Sequence, residues 1–338
     1  MTRRARAFAY AVSVLLLLLL SALAFALGRF PISVGELAQL AANKLFSANY
    51  SVAPSAETVV LQVRGPRILA ALLVGAALAA AGTAYQGMFR NPLVSPDILG
   101  VSAGAALGAV LGIFFSQSAL VIQLGAFAGG LAAVGVVYAV GANVRRHDPI
   151  LSLILAGIVL GTLLGALIAL LKYLADPYNQ LPAITYWLLG SLAAVAPADL
   201  ALAAPFALAG LVPLYLLRWR MNLLSLSDDE ARALGVHVGR LRLAVVCAAT
   251  LMTAAAVAIS GIIGWVGLLI PHAARLLVGP EFSRLLPLSM VLGAAFLLAV
   301  DTLARTVAPI EIPPGVLTAL IGTPFFLWLF VSAKRAWQ

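Results

Sequence analysis

Long apolar runs, separated by short polar breaks marked by arginine, organise this chain. Crossing about 30 Å of hydrocarbon takes roughly 20 residues of helix. Runs of that length, or close to it, recur at 8 to 28, 66 to 88, 97 to 115, 119 to 142, 149 to 173, 197 to 217, 241 to 262, 264 to 279, 285 to 308 and 315 to 333. The pattern predicts an all-α membrane protein of about ten transmembrane helices. An even number returns the chain to its starting side. The eighth run is the weak one, because Trp265 to Gly279 is short and contains Pro271, His272 and Arg275. Without it the C-terminus would lie on the opposite side.

Composition agrees with the pattern. Of 338 residues, 63% are hydrophobic and 10% charged, against about a quarter charged in soluble domains, which excludes an ordinary cytosolic enzyme. The net charge of +9 is carried at the ends of the apolar runs and not along one folded face, so it reads as membrane orientation and not nucleic-acid binding. With the N-terminus inside, fifteen of the 21 Lys and Arg fall on inside segments, Arg145, Arg146, Lys334 and Arg335 among them. Arg29, Lys44, Arg64, Arg67, Lys172 and Arg305 stay outside. Both termini are therefore expected in the cytoplasm. The basic start, Arg3, Arg4 and Arg6 before a run of about 20 apolar residues, reads as a first membrane helix and not as a cleaved leader.

Two connections carry structure of their own. In the outer stretch from Arg29 to Val63, Val34, Leu37, Leu40, Ala41 and Leu45 recur at helical spacing and predict a short interfacial helix. In the inner stretch, Ser227 is placed to cap a helix whose first turn holds Asp228, Asp229 and Glu230 and which closes on Gly235. Leu224, Leu226, Ala231 and Leu234 give that segment an apolar face for docking. Small residues at Gly75 to Gly82 and Gly100 to Gly108 predict close helix crossings. The proline junctions Asn91-Pro92 to Pro96 and Pro271-His272 follow comparable helices in the two halves and predict interrupted helices near a central path.

Little in the chain points to catalysis. No G-x-x-x-x-G-K-[ST] loop exists, and Lys44, Lys172 and Lys334 follow no glycine, so ATP hydrolysis falls to another polypeptide. His147, His237 and His272 lack metal-ligand spacing, and Cys247 is alone in an apolar run, so no metal and no disulfide is expected. Asp301, four residues before Arg305 within the ninth run, is either a proton relay or a buried structural partner of Arg305 or another polar neighbour. Arg64 and Arg67, at the outer mouth of the second run, are either interfacial anchors or cationic posts for an acidic partner.

Several blocks are highly specific in combination: Val63-Arg-Gly-Pro-Arg67, Gly87-Met-Phe-Arg-Asn-Pro-Leu-Val-Ser-Pro96 continuing to Gly104, Leu234-Gly-Val236, and Gly261-Ile-Ile-Gly-Trp-Val-Gly-Leu-Leu-Ile-Pro-His272 through Arg275. With Ala299-Val-Asp-Thr-Leu-Ala-Arg305, Glu311-Ile-Pro-Pro-Gly315 and Gly322-Thr-Pro-Phe-Phe326, they make the chain resemble, nearly end to end, the FecCD-type permeases of bacterial ATP-binding cassette (ABC) importers for vitamin B12, ferric siderophores and haem.

The resemblance implies one permease domain over residues 1–338 with the type II importer fold, a homodimer around the translocation path, two cytoplasmic ATPase subunits that hold ATP and Mg, and a periplasmic substrate-binding protein. It implies a multi-pass protein of the bacterial cytoplasmic membrane in contact with lipid, with no cofactor of its own. Arg64, Arg67 and Arg305 match positions that meet glutamates of the binding protein. Residues 225–239 match the ATPase-coupling segment, with Ser225, Leu226, Asp228, Asp229, Glu230, Ala231, Leu234, Gly235 and Val236 as its contact residues. Asn91, Pro92, Pro96, Gly157, Gly161, Gly165, Pro271, His272 and Asp301 fall on path or structural positions. An iron chelate, siderophore or haem, is the first-choice cargo; cobalamin and molybdate remain alternatives within the family, and an ion-coupled secondary transporter centred on Asp301 is the rival outside it.

Overall fold

The computed structural model describes residues 3–28, 30–143 and 149–336, and the side chains of all of these except 142, 143, 149 and 329–336. Arg29, Arg145, Arg146 and His147 lie outside the described residues, as do the side chains of Lys334 and Arg335.

Fifteen α-helices follow one another: α1 (Arg3–Ala26), α2 (Val34–Phe46), α3 (Pro54–Thr58), α4 (Gly65–Met88), α5 (Val101–Phe114), α6 (Ala119–Asn143), α7 (Pro149–Leu174) and α8 (Gln180–Leu189). Then come α9 (Pro197–Leu216), α10 (Arg218–Met221), α11 (Asp228–Ala233), α12 (Val238–Ser260), α13 (Val266–Val278), α14 (Phe282–Thr306) and α15 (Pro314–Ala336). A helix stands at each of the ten expected spans. Among the described residues, seven helices are long and apolar enough to cross a membrane, and α5, α13 and the first part of α15 are shorter apolar helices.

The expected third span is interrupted at its start. Pro96–Leu99 forms a separate 3₁₀ turn, and Gly100 takes a left-handed φ of 77° before α5 begins. The weak eighth run is a real helix, α13, shortened by Trp265 at φ 71° on one side and Gly279 at φ 85° on the other. The short helix expected between Arg29 and Val63 is α2, which Ser33 and Glu36 start with a reciprocal capping box. Leu40 of α2 is buried against Ile32 and Val60, whereas Val34, Leu45 and Phe46 stay exposed. The sequence pattern gave no hint of α8.

Helix α4 runs through the centre and packs against α9, α12, α13 and α14. Glycines set how close these neighbours come. A methyl group on Gly75 would overlap the carbonyl of Gly293 in α14, and one on Gly82 the carbonyl of Gly267 in α13. The hairpin of α5 and α6 closes in the same way, with Gly104 against Gly129 and Gly108 against Gly125. Where lipid supplies no hydrophobic drive, contact between backbones replaces it. Helices α1 and α7 lie at the periphery with long exposed apolar faces.

Candidate functional site

Three arginines meet where the end of α1, the start of α4 and the end of α14 converge. The last carbonyls of α1 have no helical partner, and two of these arginines supply one. Arg64 donates to Phe25 O, Ala26 O and Phe30 O. Arg305 donates to Leu27 O at 2.8 Å and to Ala24 O. Positive charge at a helix C-terminus also complements its dipole. Arg67, in the first turn of α4, instead binds the carboxylate of Asp301 and that of Glu311.

All three arginines are tied into the fold. Arg64, Arg67 and Arg305 are only 4%, 8% and 8% exposed, because each guanidinium is occupied inside the fold. Of the partners left open for Asp301, a polar neighbour holds it. The main partner is Arg67 from another helix; Arg305 Nε stands 3.8 Å away, too far for a hydrogen bond.

Near the other end of α4, the two proline junctions come together. Pro271 lacks an N–H, so the carbonyl of Gly267 four residues earlier loses its helical donor. Gln86 of α4 replaces it, with Nε2 3.4 Å from Gly267 O and 3.2 Å from Leu268 O, while its Oε1 accepts from Arg275 Nη2 at 3.0 Å. Pro96 packs on the same spot, and a Cβ on Gly267 would stand 2.6 Å from its Cδ. Asn91 and Pro92 are not part of this contact. They lie in the exposed loop after α4, where Asn91 Oδ1 accepts from Leu93 N at 2.9 Å. His272 is half-buried in α13, and among the described residues no group of His, Cys, Asp or Glu could hold a metal.

The expected path glycines of α7 divide. Gly157 is a packing residue, since a Cβ there would overlap Ile98 O. Gly161 and Gly165 face open space, on a helix whose Leu155, Ile158, Val159 and Leu163 are also exposed.

At the far end of α4 from the three arginines, α11 is built as its sequence promised. Ser227 caps it, and Glu230 closes a capping box by accepting from Ser227 N at 2.8 Å. Those hydrogen bonds from the Ser227 side chain and backbone hold the Glu230 carboxyl below its ordinary range. Gly235 leaves the helix at φ 79°, with Val236 half-buried behind it, and Ser225 donates to Asn222 O at 2.6 Å. The expected docking face does not stay together, however. Leu224 and Ala231 turn inward and are buried, Leu226 is half-buried, and Leu234 alone of the four is well exposed, at 62%.

Asp228 fastens this segment to the bundle. It accepts from Arg242 Nη2 of α12 at 2.7 Å and from Arg90 Nη2, just beyond α4, at 3.1 Å. Arg90 Nε also donates to Leu224 O at 3.0 Å. Helix α4 thus carries Arg67 with its two acids at one end and leads into the grip on α11 at the other.

The model of the FecCD transport family matches residues 15–332. The chain belongs to that family. It is 42% identical over 314 residues to the molybdate import system permease protein MolB of Haemophilus influenzae, covering 93% of this chain and 92% of that protein. It is 42% identical over 280 residues to a probable iron chelatin transport system permease protein of Helicobacter pylori, covering 83% and 84%. A solved inward-facing structure described as a metal-chelate type ABC transporter superposes with a TM-score of 0.86 at 40% identity, covering 96% of this chain and 99% of that one. The protein is therefore an ABC importer permease of the multi-pass membrane type, whose relatives work with ATPase partners.

Sequence reasoning missed Gln86, Glu311 and the two arginines that hold Asp228. Glu311 stood in a recognisable block, but nothing local tied it to Arg67, 244 positions away.

Proposed function

We propose that this permease imports a metal chelate, with iron as the metal, from the periplasm to the cytoplasm. It works as a homodimer carrying two ATPase subunits, and it receives cargo from a periplasmic binding protein. The observation that carries the cargo class is the exposed wall of α7. From Ile150 to Leu171 it holds no charged residue, and its open face is Leu155, Ile158, Val159, Gly161, Leu163 and Gly165. Such a wall passes a bulky ligand with an organic shell without holding it. A bare oxyanion stripped of water there would find no cation, and the hydroxyl of Thr162 on that face already donates to Ile158 O at 2.9 Å. Molybdate is the second reading, favoured by the end-to-end similarity to MolB.

The chain itself performs no chemistry; ATP and Mg belong to the partner subunits. Their closure moves α11, and the movement enters the bundle through Asp228, which is bound to both Arg90 and Arg242. Rigid helices with two arrangements then alternate access to the path. Both termini and α11 face the cytoplasm. The binding protein docks at the outer end, where Arg64, Arg67 and Arg305 outnumber Asp301 and Glu311 and shape the corner of α1, α4 and α14.

The test is uptake into proteoliposomes holding the permease with its ATPase and binding-protein partners. Radioiron-labelled ferric siderophore should accumulate with ATP, and unlabelled molybdate should not compete. Molybdate uptake without chelate uptake would establish the second reading. Accumulation driven by an ion gradient with no ATPase present would overturn both.

A further inference from the structure

A cavity of about 670 Å³ opens at the same end as α11, between the start of α1, the end of α13 and the start of α14. Its walls include Arg6, Arg275 and Arg284, with Glu281 as the acid and Asn222 and Ser225 from the segment before α11. Glu281 is already engaged. It pairs with Arg284 Nη1 at 2.9 Å and accepts from Ser283 Oγ at 2.6 Å. Arg275 meets only the neutral Gln86 side chain, and neither Arg6 nor Arg275 has a carboxylate partner among the described residues. Two guanidinium charges therefore face this cavity without compensation.

The surroundings select the kind of anion. Leu276 lines the cavity and is exposed, as is its neighbour Leu277. Beyond Arg6, α1 presents Leu15, Leu16, Leu18 and Leu19 to the membrane. Beneath the cavity, Tyr10 and Leu292 pack on the apolar cluster of Ala274, Val278, Leu285 and Leu288. A basic pocket between membrane helices, continuous with an apolar outer face, suits the phosphate of an anionic lipid whose chains run along that face. The volume accommodates a phosphoglycerol headgroup.

We propose that this cavity binds the phosphodiester headgroup of an anionic glycerophospholipid, held by Arg6 and Arg275. The site bridges α1, α13 and α14 beside Asn222, whose Oδ1 accepts from Phe282 N at 2.7 Å. Lipid there braces the root of the coupling segment. Only the leaflet, not the site, rests on the permease reading above.

Native mass spectrometry of the full chain, copurified with its ATPase subunits, tests this with phosphatidylglycerol, phosphatidylcholine and inorganic phosphate as probes. The wild type should retain phosphatidylglycerol and not phosphatidylcholine, and inorganic phosphate at equal concentration should not displace it. Arg6→Gln with Arg275→Gln removes two charge-assisted contacts and should cut occupancy by about tenfold or more. Arg3→Gln with Arg4→Gln, two exposed arginines at the same end, should leave it unchanged. Arg6→Lys with Arg275→Lys keeps the charge should the glutamine pair not fold, and should retain the lipid. Equal retention of both lipids, displacement by inorganic phosphate, or undiminished binding in the glutamine pair would each overturn the proposal. So would binding to the isolated chain that disappears when the ATPase subunits are present, which would assign the cavity to a protein contact.

Discussion

Arg67 of α4 holds Asp301 of α14 through Nη2 to Oδ1 at 2.8 Å and through Nε to both carboxylate oxygens at 3.0 Å, with Asp301 fully buried. Burying such a pair costs desolvation, so its presence alone is weak evidence of stability, but stranding one partner is expensive. Asp301→Leu leaves Arg67 with Glu311 as its remaining carboxylate partner and should destabilise the permease by less than the roughly 3–5 kcal/mol of a fully stranded charge, and Arg67→Met with Glu311→Gln added to it should recover a large part. Thermal melting of the purified proteins measures both. If Asp301→Leu melts with the wild type, the pair does not hold α4 to α14. If it melts normally but stops ATP-driven uptake, Asp301 acts in transport and not in structure.

The glycines separate packing from passage. Gly82→Ala drives a methyl into the carbonyl of Gly267, and overpacking of that kind costs about 1–3 kcal/mol. Gly161→Ala and Gly165→Ala meet nothing within 4 Å and should leave the melting temperature of the single chain unchanged. Any loss of uptake in those two variants then reports on the path or on a second copy. Destabilisation by Gly161→Ala as large as that by Gly82→Ala would refute the open face of α7.

What was legible in the sequence was whatever repeats locally. Apolar length located the membrane helices, Ser227 and Gly235 bounded α11, and the glycines of α4 announced close crossings. What was hidden depends on which distant backbone atoms lack a partner. Arg64 and Arg305 look exposed because they sit at the ends of apolar runs, yet they turn inward to the orphan carbonyls of α1. Gln86 is one more residue of α4 until Pro271 frees the carbonyl of Gly267. The capping box of α11 was half visible, but its spacing could not show that Ala231 faces the bundle while Leu234 faces out.

That division of α11 makes its two apolar residues behave differently. Leu234→Asp changes an exposed side chain and should leave folding within about 0.5 kcal/mol of wild type. It should also reduce copurification of the ATPase subunits and ATP-driven uptake. Ala231→Asp buries a charge against the bundle and should lower the yield of folded permease itself. Normal uptake by Leu234→Asp would remove that leucine from the coupling surface.

The same helix carries a pH dependence of defined sign. Because hydrogen bonds from Ser227 hold the Glu230 carboxyl below its ordinary value, the capping box contributes fully above the ordinary carboxylate range. That contribution is lost as pH falls through the lowered native value. Protection of the Glu230 amide, its exchange rate compared with the intrinsic rate at the same pH, should therefore fall at acid pH, and in Glu230→Gln it should lose this dependence. Protection that does not change with pH in the wild type would mean the box does not hold α11 in solution.

Arg64 and Arg305 pose the final test, because they cap α1 and also stand where the binding protein is proposed to dock. Arg64→Lys keeps the charge but cannot reach three carbonyls at once, so it should lower stability while sparing docking by the molecules that fold. Arg64→Gln removes the charge as well. Measured per folded molecule at low salt, its affinity for the binding protein should fall below that of Arg64→Lys, and the gap should close as salt rises. Equal affinities for the two variants at low salt would confine Arg64 to capping α1 and remove its charge from the docking surface.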